Sequence, residues 1–246
     1  MTALASELYH YRDVVFVVGQ SNCGPYGDLL TKWPSREQHD RNWSQQNYSI
    51  DDSWHTGQEY PPGLSGAGLP CGYLATSLAA QMRYTGLRPS ICTISRPGIN
   101  AADLRAEVVS TWAAYISARM TAMISPRSIT LVWSQGEAML YEGTPSTWQA
   151  DTATSVATIR SALGIPSLHL TVIQLCNSYT PGPDVTYLPA ARAAQASMVA
   201  ADAHASIVGG SLDVTTVTSN IHLSQYDLDR QARLVASDIK SRVVSL

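Results

Sequence analysis

Residues 14–22 read VVFVVGQSN, and this stretch decides the class of fold that the sequence predicts. The five β-branched or aromatic residues Val14–Val18 are typical of a short strand that is buried on both faces of a parallel sheet. Gly19 ends the run and lets the backbone turn sharply, so we expect Ser21 at the carboxyl edge of that sheet. Ligand sites in such sheets form beyond the carboxyl ends of the strands, and functional side chains should therefore follow the strands.

Strand-like and helix-like segments alternate along the rest of the chain. Further strands are predicted over residues 90–95, 128–133, 168–175 and, more weakly, 206–208. Helices are predicted over residues 72–83, 101–123, 146–163, 188–202 and 224–244. This alternation predicts an α/β fold, a three-layer α/β/α sandwich with a central parallel sheet and right-handed crossovers. Without a repeat, low-complexity segment or linker, we expect one domain over residues 1–246.

Local signals refine this outline at two places. Ser146 is predicted to cap the helix over residues 146–163, and Gly164 is predicted to end it. Residues 22–70 are rich in Gly, Pro, Asn, Asp and aromatic residues without a clear period, which predicts a long loop. Loops of this length in a compact domain are usually functional.

Composition excludes several classes of partner. Of the 246 residues, 45% are apolar and 14% are charged, with a formal net charge of −3. No densely basic stretch could neutralise a row of phosphates, and no apolar run reaches membrane-spanning length, so we expect neither nucleic acid nor a membrane as partner. No signal peptide is visible, which favours a cytoplasmic protein, or a secreted or virion-associated one after processing. The four cysteines are scattered without metal-ligand spacing, and Cys92 and Cys176 are expected to be buried thiols.

Polar side chains follow the predicted strands. Ser21 follows the first strand, while Gln135 and Glu137 follow the third, within the segment WSQGE. A serine needs a base to become a nucleophile, and His222, just before the last helix, is the best placed of six histidines. Gln135 could donate to a developing oxyanion, and Glu137 could orient a base or bind substrate. Each of these residues, taken alone, is equally typical of a turn, a cap or a solvated loop.

The motifs in their order resemble those of a known family. The segments are Gly19-Gln20-Ser21-Asn22, then Gln135-Gly136-Glu137, then Ile221-His222-Leu223. This order is similar to the SGNH (GDSL-type) hydrolases, which have a flavodoxin-like fold, and within them to the branch of carbohydrate and sialate O-acetylesterases. Residues 66–72 are similar to the second block of that branch, and residues 96–100 fall where it has a glycine-rich loop.

The resemblance implies a catalytic role for several residues. Ser21 would be the nucleophile and His222 the general base. The oxyanion hole would comprise the Ser21 N–H, the N–H of Gly66 or Gly68, and the Gln135 side chain. Gln20, Asn22 and Asn100 would belong to the same oxyanion and substrate-binding region. The implied substrate is an acetylated carbohydrate or another small ester, and neither a metal nor an organic cofactor is implied.

Two positions depart from the family pattern. Ser219 stands where the family has an aspartate three residues before the histidine, and Ser134 stands where relatives often have histidine. The missing acid leaves a Ser–His dyad, or a substitute such as Asp213, Asp227 or Glu137, or a neutral group such as Asn220 or a backbone carbonyl.

Three functions therefore compete: an esterase that deacetylates a glycan, an esterase or lipase that acts on small or lipid esters, and a catalytically impaired glycan-binding module. The missing aspartate favours the last, whereas the retained Ser21, Gln135 and His222 oppose it. The oligomeric state is left open by the sequence.

Overall fold

The computed structural model describes residues 13–23, 46–48, 54–56, 74–96, 98–121, 126–180, 186–215 and 222–243. Its main sheet has seven strands in the order β3-β2-β4-β1-β5-β6-β8. These strands are β1 Asp13–Gly19, β2 Gln46–Tyr48, β3 Trp54–Thr56, β4 Pro89–Ser95, β5 Ser128–Ser134, β6 His169–Ile173 and β8 Ala205–Val208. All neighbours pair in parallel except β2 and β3, which are antiparallel.

Strand β1 lies at the centre of this sheet, because both of its edges are paired. Asp13 to Gly19 align with Pro89 to Ser95 on one side and with Ser128 to Ser134 on the other. All seven residues of β1 are buried, as its uninterrupted apolar run predicts. The end of β1 at Gly19 therefore emerges in the middle of the carboxyl edge of the sheet.

Helices cover both faces of the sheet. They are α1 Leu74–Tyr84, α2 Ala101–Glu107, α3 Ala113–Thr121, α4 Met139–Glu142, α5 Pro145–Leu163, α6 Leu188–Ala200 and α7 Gln225–Val243. Helices α1 and α7 pack against each other in one layer, whereas α5 packs against α2, α3 and α6 in the other. This arrangement confirms the predicted three-layer α/β/α sandwich with a central parallel sheet. Within the described residues, no helix is both long enough and apolar enough to cross a membrane.

Several local predictions need correction. Ser146 does not cap α5: the helix begins at Pro145, and Thr144, which precedes it, makes no capping hydrogen bond through its side chain. A proline at the first position presets the helical φ and has no N–H of its own that needs a partner. Gly164 does end α5, as predicted, and it adopts the left-handed conformation. The helix predicted over residues 101–123 contains a π-helical turn at Val108–Trp112 between α2 and α3.

Three small features lie outside the sequence prediction. The segment predicted as a long loop contributes β2 and β3 to the edge of the sheet. A separate sheet of two parallel strands pairs β7 Ser178–Thr180 with β9 Asp213–Thr215. Helix α4 is a single short turn directly after the WSQGE segment. Three-residue strands and one-turn helices are too short for hydrophobic periodicity to reveal them.

The amino edge of the sheet is held by an ion-pair cluster around the start of β1. Asp13 is 1% exposed and accepts hydrogen bonds from Arg127 Nε at 2.9 Å and Ser128 Oγ at 2.7 Å. It also accepts from the backbone N–H of Arg88 at 2.6 Å, and Arg127 Nη2 donates to its second oxygen. This cluster joins the amino ends of β1, β4 and β5, at the edge opposite the one that carries Ser21.

Candidate active site

The turn that carries Ser21 is fixed against the end of β5. Residues Ser21–Cys23 form a short 3₁₀ helix directly beyond β1, and Ser21 is 2% exposed. The backbone N–H of Gln20 donates to the carbonyl of Ser134 at 3.0 Å. A Cβ atom at Gly19 would lie only 1.9 Å from that same carbonyl oxygen, so no other residue fits without movement of the backbone. The glycine of the first motif therefore allows this close approach of β1 to β5.

The carboxamide of Gln135 is held in one orientation at the end of β5. Its Nε2 donates to the carbonyl of Ile99 at 3.2 Å, and its Oε1 accepts from Trp148 Nε1. Gln135 is 2% exposed. Because an amide nitrogen carries two hydrogens, one N–H of Gln135 remains beyond the bond to Ile99. This side chain can therefore present a preoriented donor.

Asn22 links three segments that are far apart in the sequence. Its Nδ2 donates to Glu137 Oε1 at 2.7 Å, and its Oδ1 accepts from the backbone N–H of Leu223 at 3.1 Å. Asn22 directly follows Ser21, and Leu223 directly follows His222. The contact therefore brings together the turn beyond β1 and the segment before α7, each next to one of the residues predicted to react.

Glu137 is buried beneath this contact and is 7% exposed. Its second oxygen, Oε2, is buried and accepts no hydrogen bond from the described residues; the same holds for Gln20 Oε1. Burial raises the pKa of the Glu137 carboxyl, although the hydrogen bond from Asn22 opposes this effect. Among the described residues, the hydrogen bond to its side chain comes from Asn22.

His222 is about half buried, and loss of solvent lowers the pKa of its imidazole. A lowered pKa keeps the ring neutral, which is the form that accepts a proton. The structure thus gives this histidine the protonation state that a general base needs at neutral pH.

The other predicted acids make contacts of their own. Asp213 lies in β9, where Oδ1 accepts from Asn177 Nδ2 at 3.0 Å and from Ser178 Oγ at 2.7 Å, and these bonds lower the pKa of Asp213. Asp227 lies in the first turn of α7 and exchanges hydrogen bonds with Ser224. Through these contacts Asp213 ties β9 to β7, whereas Ser224 caps the last helix by accepting from the Asp227 N–H, and the Asp227 carboxylate accepts from the Ser224 hydroxyl.

The remaining predicted residues fall into two groups. Asn100 caps α2, because its Oδ1 accepts from the N–H of Asp103 at 2.8 Å. Gly66, Gly68, Ser219 and Asn220 lie outside the described residues. In the part of the chain that the structure describes, no three His, Cys, Asp or Glu side chains are grouped to hold a metal ion. Cys92 and Cys176 are buried thiols, as predicted.

Two supporting residues escaped the sequence analysis. Trp148 in α5 is fully buried and orients the Gln135 carboxamide. Gln195 in α6 is also fully buried; its Nε2 donates to the Gln135 carbonyl at 3.3 Å, and its Oε1 accepts from the Leu175 N–H at 2.9 Å. A glutamine in an alanine-rich helix carries no motif, and the only signal was that a buried amide requires partners.

The sequence matches no protein-family model. It also has no match among curated proteins. Solved structures, in contrast, are similar over nearly the whole chain.

A protein from Arabidopsis thaliana has a TM-score of 0.68 and 16% identity, over 94% of this chain and 98% of its own. A carbohydrate acetylesterase from Xanthomonas citri has a TM-score of 0.59 and 16% identity, over 94% of this chain and 57% of its own. A lipase/acylhydrolase from Enterococcus faecalis has a TM-score of 0.57 and 12% identity, over 94% and 96%. The chain therefore has the fold of the SGNH hydrolases, as its motifs predict.

Proposed function

We propose that the chain is a serine esterase that removes O-acetyl groups from a carbohydrate, with Ser21 as nucleophile and His222 as general base. The observation that carries the proposal is the Asn22 bridge, which joins the residue after Ser21 to the residue after His222. The ester-hydrolase class is supported by structural neighbours that include a carbohydrate acetylesterase and a lipase/acylhydrolase. Carbohydrate as the substrate rests on the resemblance of the Gln135-Gly136-Glu137 motif.

In the first half-reaction, Ser21 Oγ attacks the acetyl carbonyl carbon while His222 accepts the hydroxyl proton. The negative charge that develops on the carbonyl oxygen would be stabilised by the backbone N–H of Ser21 and the remaining N–H of Gln135. A third donor, the N–H of Gly66 or Gly68, belongs to the proposal through the family resemblance. Collapse of this intermediate breaks the bond to the sugar oxygen, which takes the proton from His222 and leaves acetyl-Ser21.

In the second half-reaction, His222 removes a proton from water, and the resulting hydroxide adds to the acetyl carbon. The bond to Ser21 Oγ then breaks, and the proton returns from His222 to the serine. Acetate is released and the enzyme is restored. Only water and the ester are consumed, and both side chains end in their starting state.

Asn22 and Glu137 act as positioning residues in this mechanism. Glu137 orients the Asn22 carboxamide, and Asn22 in turn holds the backbone beside His222. Both bonds are buried, and an unpaired polar group at either end would cost about 1–3 kcal/mol. The pair therefore keeps the histidine segment close to the serine turn.

The proposal is tested with 4-nitrophenyl acetate and the variant Ser21→Ala. We expect turnover to fall by at least about 10³-fold, because the oxyanion donors and binding alone leave only residual catalysis. Ser110→Ala, at an exposed serine of the π-helical turn, is the matched control and should retain turnover. Equal activity of Ser21→Ala and wild type would end the esterase proposal and favour a glycan-binding module.

The substrate class is tested by comparing hydrolysis rates of esters that differ in the acyl chain and in the alcohol to which it is bound. Acetate release from acetylated xylo-oligosaccharides should exceed hydrolysis of a 4-nitrophenyl octanoate ester at equal concentration. The reverse order would favour the second candidate, an esterase or lipase that acts on small or lipid esters.

A further inference from the structure

A polar cavity of about 570 Å³ opens at the same edge of the sheet as Ser21. It lies beyond the carboxyl ends of β6 and β8, and its polar lining comes from Gln174, Asn177, Arg192 and Ser211. Because β6 and β8 run parallel to β1, their carboxyl ends share its edge. With strands about 4.8 Å apart, the cavity lies two to three strands, or roughly 10–14 Å, to one side of β1.

The side chain of Gln195 links the cavity to the candidate active site through hydrogen bonds. Gln195 binds the N–H of Leu175, which follows the cavity residue Gln174, and the same side chain binds the carbonyl of Gln135. One buried amide therefore fixes the backbone of Gln135, whose side chain is the proposed oxyanion donor, and the backbone that follows the cavity residue Gln174. A substrate with its ester at Ser21 that extends in this direction would meet Gln174 and Asn177.

The walls of the cavity are built from fixed polar groups. Gln174 Nε2 donates to the carbonyl of Arg192 at 3.1 Å, and Arg192 Nη1 donates to Asn177 Oδ1 at 3.4 Å. A Cβ atom at Gly210 would lie 1.8 Å from Gln174 Oε1 and 3.3 Å from Arg192 Nη2. The glycine therefore allows the loop after β8 to pack directly against these two side chains.

The charge on Arg192 is the distinctive feature of this cavity. Among the described residues, no carboxylate lies within ion-pair distance of Arg192, whereas Arg160, Arg230 and Arg242 each pair with an aspartate. Asp213 is the carboxylate bonded to the cavity residue Asn177, and Arg230 donates to its backbone carbonyl. Arg192 thus presents a guanidinium that a ligand can pair with.

We propose that this cavity binds an acidic sugar of the substrate, with the sugar carboxylate on Arg192 and its hydroxyl groups on the neighbouring amides. A guanidinium pairs with a carboxylate through two parallel hydrogen bonds, and amide side chains both donate to and accept from hydroxyls. The link to catalysis rests on the proposed deacetylase function. The enzyme would then prefer acetylated glycans that carry uronic acids over neutral ones.

Binding is tested without turnover, on the Ser21→Ala chain titrated by calorimetry with an oligogalacturonide and with a neutral xylo-oligosaccharide. We expect the acidic ligand to bind more tightly, and addition of Arg192→Gln to raise its Kd by at least about tenfold, the factor for loss of one charge-assisted hydrogen bond. Arg88→Gln, at an exposed arginine on the opposite edge of the sheet, is the matched control. Equal Kd values for both ligands, or no response to Arg192→Gln, would overturn the proposal.

Turnover gives a second readout in the chain that retains Ser21. For Arg192→Gln, KM for acetylated pectin should rise at least about tenfold more than KM for acetylated xylan. Arg192→Lys keeps the charge but loses the two-pronged geometry, so its selectivity should lie in between. Serine-dependent turnover with unchanged selectivity would refute the acidic-sugar site alone. Arg192-dependent binding without turnover would instead refute the deacetylase and leave the site standing.

Discussion

At the scale of single residues, the environment of His222 sets the pH range of the proposed reaction. Burial lowers the pKa of this imidazole below its ordinary value of 6.5, so the neutral base persists at lower pH. We predict that kcat/KM for 4-nitrophenyl acetate falls on the acid side with an apparent pKa below 6.5, measured over roughly pH 4 to 8. An acid limb centred above 6.5 would contradict the assignment of His222 as the base.

The same shift makes the stability of the fold depend on pH, in the opposite sense to a histidine whose pKa is raised by an acidic partner. A lowered folded pKa means that the unfolded chain binds the proton more readily. Stability from His222 is therefore full above the unfolded value near 6.5 and is lost as the pH falls through the lowered folded value. Circular dichroism at each pH separates this loss of fold from the loss of activity.

For Glu137 we predict the opposite dependence of the free energy of unfolding on pH. Burial raises its pKa, so its contribution to stability is full below the unfolded value of 4.5 and is lost as the pH rises through the folded value. Glu137→Gln resembles the protonated form and can still accept from Asn22. We expect this variant to gain stability relative to wild type between about pH 4 and pH 8, as measured by urea unfolding.

Glu142→Gln, at an exposed glutamate of α4, is the control and should leave the pH dependence unchanged. Activity provides a separate readout of the positioning role. Glu137→Gln should keep kcat within about tenfold of wild type because it preserves the acceptor, whereas Glu137→Ala should lose more. Equal losses in the two variants would contradict positioning through Asn22.

At the scale of elements, the approach of β1 to β5 decides whether the serine turn can form. Gly19→Ala would put a methyl group 1.9 Å from the Ser134 carbonyl oxygen and push the two strands apart. We predict a loss of about 3 kcal/mol or more in the free energy of unfolding, together with loss of esterase activity. Gly164→Ala is the control, because its position has φ +66° and no neighbour within 4 Å.

The control should cost about 1–2 kcal/mol, the penalty for alanine in the left-handed conformation, and should retain activity. Urea unfolding and 4-nitrophenyl acetate turnover of both variants measure the contrast. If Gly19→Ala lowered the free energy of unfolding and the turnover no more than the control does, the close contact between Gly19 and Ser134 would not constrain the turn.

The elements also explain what the sequence could predict. The run Val14–Val18 predicts a buried strand, and the structure confirms it, together with the strands at Ser128–Ser134 and His169–Ile173. The edge strands β2 and β3 and the small β7–β9 sheet are stabilised by pairing with distant partners, which local composition does not encode. Ser21 and Gln135 stand in sequence motifs and could be predicted. Trp148 and Gln195 stand in no motif, and only their contacts in the structure reveal them.

At the scale of the whole molecule, the sheet separates the proposed catalytic groups from the ion-pair cluster around Asp13. The carboxyl edge carries Ser21, Gln135 and the Arg192 cavity, and its polar groups include buried atoms with no hydrogen-bond partner among the described residues. The amino edge carries the Asp13 cluster, in which both carboxylate oxygens are engaged. A polar group without a partner costs stability, so the carboxyl edge depends on the stability that the rest of the sheet supplies.

This separation predicts that the two edges respond differently to substitution. Asp13→Asn removes the charge that pairs with Arg127 and should lower the free energy of unfolding by about 2–3 kcal/mol. That cost lies below the value for a fully buried pair, because the Arg127 side chain is 36% exposed and water screens it. Under conditions where the variant stays folded, kcat for 4-nitrophenyl acetate should remain within about twofold of wild type. Asp13 and Ser21 lie at opposite ends of β1, and effects at distant sites are independent. The control Asp103→Asn, at an exposed aspartate in α2, should change neither quantity. A fall in kcat without a fall in stability would mean that the cluster at the amino edge reaches the catalytic groups through the length of β1.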